Sequence, residues 1–434
     1  MAPATAPSSE NFMTERWVVR LLGGAIGAGA VFSGVAAIAG LGPTGGWIQL
    51  DPAAGVLLVT TGLIGAVSAW LSPGYLVEHP NGLIGTSKRW YHTGFFLFWA
   101  VLLAIPITSN LGIAWLLIEA STATSALLVA YSGRRRALEA GWKYLVLTTL
   151  GLTISLLGVL YLYAALGQGS SGLSALDWTA IRSGMARIGS PTAAACAALI
   201  VAGLAAKVGW APVHHWLPDA HSEAPAPVSA LLSGALLPSV MLVVWRFQAA
   251  SAGTAAAAVC RDLLLGFGIM SLAIAVPFLW RPLPMKRLLA YSSLEHMGVL
   301  ALGLGFGTPL ALAGAVLHLW GHALAKSTGF YATMPLNRFQ PTSVHRPATG
   351  IAHLDSGTAV AVGLSLGALS GLPPSPLFFS ELLILAGGLA TGQYVLATIA
   401  AALLALGFVG LAHQLIEALL GRTRHVIRLQ ERAA

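Results

Sequence analysis

Residues 205–225 have the sequence AAKVGWAPVHHWLPDAHSEAP, and the apolar run TAAACAALIVAGLAA (192–206) leads into them. The stretch places Lys207 at the end of an apolar helix and follows it with three prolines, three histidines and two acids. Prolines interrupt a helix because they lack the backbone N–H and clash with the preceding turn. The stretch therefore predicts a helix that breaks directly after a lysine.

The composition indicates an integral membrane protein. The chain has 434 residues, of which 56% are hydrophobic and 9% are charged, whereas soluble domains have about 25% charged residues. The net charge of +8 lies in short connections between apolar runs, without a basic stripe that alternates with aromatic residues. This pattern fits the topology of a membrane protein and not nucleic-acid binding.

The two cysteines, Cys196 and Cys260, are far apart in the sequence. Their spacing excludes a self-contained iron–sulfur cluster, a cysteine-bound nickel–iron centre and a cysteine-rich zinc site. We expect both to be small buried residues. The chain is expected to hold no cofactor and no metal of its own, and it shows no redox or hydrolytic site.

Hydrophobic runs of about 20 residues predict membrane-spanning helices, and twelve such runs occur. The eleventh contains GLPPSPLF in its middle, so we interpret it as two half-helices. The fold is predicted to be an all-α polytopic membrane protein with about twelve transmembrane helices. The runs lie near 17–39, 54–74, 91–108, 111–131, 143–166, 190–209, 226–247, 263–280, 288–306, 309–334, 357–390 and 394–420.

Basic residues in the connections predict the orientation. With twelve spans, sixteen arginines and lysines fall on the side of the termini and four on the other side. Cytoplasmic loops carry the excess of basic residues, so both termini are expected in the cytoplasm. Residues 1–16 lack the features of a signal peptide and are interpreted as a disordered cytoplasmic tail, and 421–434 as a basic cytoplasmic tail.

Ionisable residues inside the predicted spans mark the candidate function, because charges in hydrocarbon cost several kcal/mol and commonly serve ion or proton pathways. Their arrangement repeats. Glu119 and Glu295 lie on the second helix, and Lys207 and Glu381 on the interrupted fourth helix, of two five-helix units at 91–247 and 263–420. Residues 17–90 would then form peripheral transmembrane helices. An odd number of helices per unit predicts inverted repeats, which are typical of transporters.

Lys207 is expected in a hydrated pocket beside its helix break. Burial disfavours the ammonium form and a nearby carboxylate favours it, so a lysine under both influences can load and release a proton. Glu119 is the expected partner. The alternative is a static Lys–Glu salt bridge that holds two helices together.

His318, His322 and Lys326 occur at i, i+4 and i+8 in AVLHLWGHALAKSTGF, and this spacing places them on one helix face. Histidine titrates near neutral pH, so the three predict a proton wire. Structural hydrogen bonding is one alternative. A metal site is another, although the sequence shows no evident third ligand.

A second group of residues is predicted to form the entrance to this pathway. The segment HHWLPDAH is interpreted as a hydrated funnel toward Lys207, with loop capping or a metal site as alternatives. Glu295 and His296, near the basic loop RPLPMKR, fit either a proton entrance or an interfacial salt bridge. The predicted entrance residues are His214, His215, His221, Glu295 and His296.

Five motifs in order resemble one family: EAGWKYL, WAPVHHWLPDAHSEAPAPVSALLSG, KRLLAYSSLEHMG, HALAKS and GLPPSPLFFSELLIL. They are similar to the antiporter-like membrane subunits of respiratory complex I, multi-subunit sodium/proton antiporters and energy-converting nickel–iron hydrogenases, and most similar to the hydrogenase-4 component F branch. The resemblance implies fourteen helices with two inverted five-helix repeats. It also implies a pathway glutamate at Glu119, a lysine at Lys207 and a charged residue at Glu381.

The sequence departs from this family in two places. Twelve spans are found in place of fourteen. Many relatives also carry a lysine or another polar group in the seventh span, where this chain has Pro238 within SGALLPS. Bound water, Ser239 or the histidines of the tenth span would have to bridge the middle of the path.

The expected function is a proton-translocating, or Na⁺-translocating, subunit of a larger redox-driven complex in the plasma (inner) membrane of a prokaryote. The expected partners are the lipid bilayer and other membrane and peripheral subunits. One alternative is an ion-channel subunit that energises CO2 or bicarbonate uptake with a zinc-protein partner. Another is a membrane scaffold that has lost transport, which the proline at position 238 would explain.

Overall fold

The protein is described by a computed structural model that covers residues 9–78, 88–167, 172–339 and 346–421. Within these ranges the chain is almost entirely helical, and nine helices are long and apolar enough to cross a membrane. Helices suit this environment because they satisfy every backbone hydrogen bond within one segment. The predicted all-α polytopic membrane fold is therefore confirmed, while the count of twelve spans stays a prediction.

The first half of the described chain contains ten helices and one short hairpin. The hairpin pairs β1 (Thr44–Gly45) with β2 (Ile48–Gln49). The helices are α1 (Ser9–Ile38), α2 (Pro52–Glu78), α3 (Lys88–Ala104), α4 (Leu111–Val129), α5 (Arg135–Leu166), α6 (Trp178–Met185), α7 (Ser190–Val208), α8 (Trp216–Glu223), α9 (Ala226–Leu231) and α10 (Leu237–Ala250).

The second half contains six helices. They are α11 (Ala255–Leu279), α12 (Met285–Phe306), α13 (Pro309–Phe339), α14 (Ser356–Leu369), α15 (Pro376–Ala390) and α16 (Tyr394–Leu420). A π-helical turn at Leu232–Leu236 joins α9 and α10 into a continuous span. Every predicted span overlaps a described helix. The hairpin and α6 were not predicted, because segments this short carry little periodic signal.

Both predicted helix breaks are present. Gly209 ends α7 with a φ of 81°, and Gly371 lies in the break after α14 with a φ of 74°. Glycine suits this left-handed conformation because it has no Cβ. Ser375 then starts α15, since its side chain accepts a hydrogen bond from the Phe378 N–H. Each predicted fourth helix is thus divided into two half-helices.

The packing follows the same plan in both halves. In the first, α5 packs against α7 and α8, and in the second, α13 packs against α14 and α15. The approach of α5 to α7 is close, because a Cβ on Gly203 would overlap the backbone of Ser155. Small residues at such contacts let membrane helices pack tightly. The boundaries at 91–247 and 263–420 and the inverted symmetry remain predictions.

The centre of the bundle consists of α12 and the span from α9 to α10. The apolar window of α12 is 100% buried and that of Ala226–Ala250 is 94% buried, compared with 28% for α16. The buried polar side chains of these elements, such as His221 on α8 and Glu295 and His296 on α12, therefore lie inside protein and away from lipid.

Candidate proton pathway

Lys207 is fully buried at the end of α7. Its Nζ donates hydrogen bonds to Thr122 Oγ1 at 2.7 Å and to the Tyr144 hydroxyl at 2.6 Å. The same nitrogen lies 4.7 Å from the centroid of the Tyr144 ring, a cation–π distance. The Tyr144 hydroxyl also lies 2.8 Å from Ser125 Oγ. The ammonium group is thus held by neutral oxygens and an aromatic face.

Glu119 is half-buried on α4, and its Oε1 accepts a hydrogen bond from Thr149 at 2.9 Å. Its Oε2 is buried and has no hydrogen-bond partner. The ion pairs of the described residues do not include one between Glu119 and Lys207. The static Lys–Glu salt bridge, which was the alternative interpretation, is thus not found among the described ion pairs, and Glu119 stays the predicted electrostatic partner of Lys207. Thr122, which accepts from Lys207, lies one turn from Glu119 on the same face of α4.

A second buried cluster surrounds α13. His318 Nε2 lies 3.0 Å from His296 Nδ1, and His318 Nδ1 lies 2.9 Å from Ser380 Oγ. The ring centroids of His296 and His322 are 5.4 Å apart. Lys326 Nζ donates a hydrogen bond to the Leu289 carbonyl at 2.5 Å. His318, His322 and Lys326 are all fully buried, and their placement on one helix face is confirmed.

Glu381 joins this cluster from α15. One ligand atom each of His296, His318 and Glu381 lies within 4.8 Å of the others. The sequence showed no third metal ligand beside His318 and His322 of α13. In the structure, His296 and Glu381 are the possible ligands that lie beside His318. Two imidazoles and a carboxylate are a metal-binding set. A metal ion here would have to displace one hydrogen-bond partner of His318, whose ring nitrogens bond to His296 and Ser380, and would lie in the same cluster as the Lys326 ammonium.

The predicted entrance residues divide into two sets. His214 and His215 stack with ring centroids 4.7 Å apart, and His215 is exposed. His214 is buried with an exposed fraction of 8%, and His221, Glu295 and His296 lie deeper in the bundle, with exposed fractions of 0%, 3% and 1%. The role of these residues in an entrance stays a prediction. The half-helix α8 turns inward. His221, the last histidine of HHWLPDAH, is therefore buried, whereas His215 is exposed.

His221 lies between the two clusters. Its ring stacks on Phe330 of α13 with centroids 5.6 Å apart and lies 6.2 Å from the Trp216 ring. Trp216 in turn lies 4.7 Å from the Tyr144 ring, which contacts Lys207. Both ring nitrogens of His221 are buried without hydrogen-bond partners. This histidine is therefore a candidate for the middle of the predicted path, for which the seventh span, with Pro238, supplies no titratable group.

Some buried polar atoms without hydrogen-bond partners lie along this line, and others lie elsewhere in the described residues. Buried polar groups usually bond to protein or to water, so these atoms are candidates for contacts with water. Ser239 Oγ, one of the predicted bridging groups, is also buried without a partner. The other atoms on the line are Glu119 Oε2, both ring nitrogens of His221 and His322, Glu295 Oε2 and His296 Nε2.

Sequence reasoning missed the hydroxyl groups that contact the charged residues. Thr122, Ser125 and Tyr144 surround Lys207, and Ser380 bonds to His318. A usable signal was present for α4, where IEASTATS places four hydroxyl residues within two turns after Glu119. Tyr144 gave no such signal, because aromatic residues are common in any buried helix.

The comparisons with known proteins agree with this fold. The family model described as NADH:quinone oxidoreductase/Mrp antiporter, transmembrane, matches residues 108–407. A hydrogenase-4 component F homolog from Methylacidiphilum infernorum is 33% identical over 83% of this chain and 77% of its own length. NADH-quinone oxidoreductase subunit N from Desulforudis audaxviator is 33% identical over 81% of this chain and 68% of its own length.

Two solved structures share the fold. A chain of the Mrp complex from Dietzia sp. superimposes with a TM-score of 0.78 and 21% identity, over 95% of this chain and 76% of that one. A chain of the archaeal membrane-bound sulfane sulfur reductase superimposes with a TM-score of 0.81 and 20% identity, over 96% of this chain and 87% of that one. At these identities the likeness concerns the fold alone.

Proposed function

We propose that this chain, which belongs to the NADH:quinone oxidoreductase/Mrp antiporter membrane family, translocates protons as one subunit of a larger redox-driven complex. The observation that carries the proposal is the buried line of ionisable groups that runs from Lys207 through His221 to the His296–His318 pair and Glu381. Buried ionisable groups are expensive inside a membrane protein, and a continuous series of them is typical of proton relays.

Lys207 is the proposed loading site. Its ammonium form is stabilised by two hydroxyl oxygens and the Tyr144 ring, but burial disfavours the charge. A charge pair 4 Å apart is worth about 4 kcal/mol at an effective dielectric of 20. A change in the charge near Glu119, transmitted across α4, would therefore decide whether Lys207 keeps its proton.

The released proton would then pass to neutral imidazoles. A neutral imidazole accepts a proton at one ring nitrogen and donates from the other, so His221 can accept from the Lys207 side and pass the proton toward α13. The His296–His318 hydrogen bond continues the line to the neighbourhood of Glu381. Glu295 and Lys326, on adjoining faces of α12 and α13, would set the electrostatic potential along this part.

The proposed partners of the chain are based on the assemblies in which similar proteins occur. The similar proteins are named as components or subunits of larger assemblies. We propose that this chain likewise binds other membrane subunits and a peripheral redox module, in the plasma membrane of a prokaryote, with both termini in the cytoplasm. The redox chemistry would belong to the partners.

The test replaces Lys207 in the intact complex. Lys207→Ala should abolish proton uptake into sealed vesicles driven by the native electron donor, measured with a pH-sensitive dye, while the complex still assembles. Arg261→Gln is the matched control, since Arg261 is exposed and pairs only with the adjacent Asp262 among the described ion pairs. Full proton uptake by the Lys207→Ala complex would overturn the proposal.

A further inference from the structure

A large basic cavity lies at one end of the helix bundle, and its lining does not include the buried residues of the proton line. It has a volume of about 1090 Å³, and small-molecule sites typically occupy about 300–1,000 Å³. Five helices (α2, α5, α8, α12 and α13) and the connections before α5 and α12 supply its described lining. The charged lining residues are Arg134, Arg135, Arg136, Lys143, Lys286 and Arg287, with the acids Glu139, Asp219 and Glu223.

The cavity carries an excess of positive charge. Its described lining contains six cations and three carboxylates, a net charge of +3. The carboxylates are already engaged, since Arg134 lies 3.5 Å from Glu223 and Arg287 lies 3.1 Å from Asp219. Lys143 contacts the third, Glu139, at 2.6 Å. The net positive charge of the lining favours an anion over a neutral or cationic ligand.

A second opening continues this cavity onto the lateral face of the bundle. It has a volume of about 430 Å³ and shares Lys143 and Asp219 with the basic cavity. Apolar side chains of α5 line it, and Trp142 is 67% exposed beside the charged rim. Tryptophan is enriched at the level of lipid headgroups. The combined site is therefore basic at the end of the bundle and apolar along its membrane-facing side.

We propose that this site binds one anionic phospholipid, with its phosphate in the basic cavity and an acyl chain along the Trp142–Leu147 cleft. Arginine guanidinium groups match phosphate oxygens in a bidentate geometry. Basic pockets between transmembrane helices bind anionic headgroups, and a free phosphate would use the basic cavity but not the cleft. An acidic segment of a partner protein would likewise have no need for an apolar cleft that opens sideways into the bilayer.

The site also lies against the proton line. Asp219, Ser222 and Glu223 of the cavity belong to α8, which carries His221, and Lys286 anchors α12 to this half-helix by donating a hydrogen bond to the Ala224 carbonyl at 2.6 Å. A bound lipid would thus contact both elements that hold buried pathway residues. The lipid proposal does not depend on proton transport, because its test measures binding alone.

The test uses the detergent-purified, delipidated full chain and native mass spectrometry. Phosphatidylglycerol and phosphatidylcholine with the same acyl chains are titrated separately, and inorganic phosphate is added as a competitor. We expect phosphatidylglycerol to bind at least about ten-fold more tightly than phosphatidylcholine, because the zwitterion brings its own cation into a basic site. Equal affinities of the two lipids would overturn the proposal.

Three variants locate the site. Arg135→Gln leaves the ion pairs of Asp219 and Glu223 in place and should weaken phosphatidylglycerol binding several-fold, and the double variant R134Q/R287Q should weaken it further. Leu147→Trp fills the cleft and should weaken lipid binding while leaving phosphate competition unchanged. Arg281→Gln is the control, since Arg281 is exposed near the same end of the bundle but does not line the cavity.

Two outcomes would contradict the assignment. If Leu147→Trp binds phosphatidylglycerol as tightly as the native chain and inorganic phosphate displaces the lipid fully, the cavity is a phosphate site and not a lipid site. If R134Q/R287Q and Arg281→Gln weaken lipid binding equally, the lipid is attracted by the overall positive charge at this end of the bundle and does not bind in the cavity. Circular dichroism on each variant checks that the helices are intact.

Discussion

The Lys207 ammonium lies among neutral partners, and this choice of partners has a physical consequence. Hydrogen bonds to a charged group contribute about 1.5–3 kcal/mol each, and a cation–π contact adds about 0.5–2 kcal/mol. Together these are comparable with the cost of burying the charge in a relaxed protein environment. These contacts therefore offset much of the burial cost of the ammonium form, and a change in a nearby charge would shift the balance between the charged and neutral forms of the lysine.

Tyr144→Phe tests this balance. The substitution removes the hydroxyl that accepts from Lys207 at 2.6 Å and keeps the ring against Trp216. Loss of one hydrogen bond to a charged group corresponds to a factor of about ten in an equilibrium. We expect proton uptake by the complex to fall by about that factor with normal assembly. An unchanged rate would mean that the hydroxyl does not hold the proton-loading group.

His221→Phe tests whether the two clusters communicate through this ring. Phenylalanine keeps the stacking on Phe330 but cannot accept or donate a proton. We expect proton uptake to fall to a few per cent of the native rate, at an unchanged thermal midpoint, as measured in sealed vesicles and by differential scanning fluorimetry. His353→Phe is the matched control, because His353 is exposed and is not among the predicted pathway or entrance residues. Equal activity of both variants would move the path away from His221.

At the scale of elements, the two interrupted helices position the chemistry. A continuous helix through residues 190–223 would have directed α8 onward across the membrane, whereas the break turns it so that His221 lies inside the bundle. The turn requires a residue with a positive φ at Gly209. It also requires Leu217 of α8 to pack directly against that glycine, because a Cβ there would lie 2.5 Å from Leu217 Cδ1.

Gly209→Ala should therefore destabilise the protein. A left-handed conformation costs a non-glycine residue about 1–2 kcal/mol, and the contact with Leu217 adds to this. We expect a lower thermal midpoint for unfolding of the purified chain in detergent. Gly29→Ala is the matched control, since Gly29 lies in α1 with open space around its missing Cβ. An equal midpoint for both variants would contradict the assigned role of Gly209.

The elements show what a sequence can and cannot reveal. Long apolar runs and proline breaks predicted the helices and both interruptions, because each depends on local chemistry. The direction in which a half-helix turns depends on tertiary packing, so the depth at which His221, Glu295 and His296 are buried could not be predicted from the sequence. The approach of Glu381 to His318 was also beyond the sequence, since it joins helices that are distant along the chain.

At the scale of the whole molecule, the first helices are attached to the bundle by a buried arginine. Arg246 at the end of α10 donates from Nη1 to the Pro106 carbonyl at 2.7 Å and from Nη2 to Asp51 at 2.9 Å. Asp51 also starts α2, because its Oδ1 accepts from the Ala54 N–H at 2.8 Å. One residue thus connects the α2 start, the α3–α4 connection and the central span.

Asp51→Asn separates the two roles of this carboxylate. Asparagine is as good an N-cap as aspartate, so the start of α2 should be kept while the ion pair to Arg246 is lost. Arg246 is 8% exposed and the Asp51 side chain is 27% exposed. Removing the partner of a buried charge costs about 3–5 kcal/mol, and partial exposure reduces this cost. We expect a loss of about 1–3 kcal/mol in the free energy of unfolding.

Denaturant unfolding of the purified chain in detergent measures this loss, and Asp262→Asn serves as the control. Asp262 pairs with its neighbour Arg261 on the surface, where ion pairs contribute about 0–1 kcal/mol, so this variant should unfold like the native chain. Asp51→Ala should be less stable than Asp51→Asn by about 1 kcal/mol because it also removes the cap. If Asp51→Asn unfolds like Asp262→Asn, the attachment of α2 depends on apolar packing alone, and Arg246 is held by the backbone carbonyls of Pro106 and Thr108.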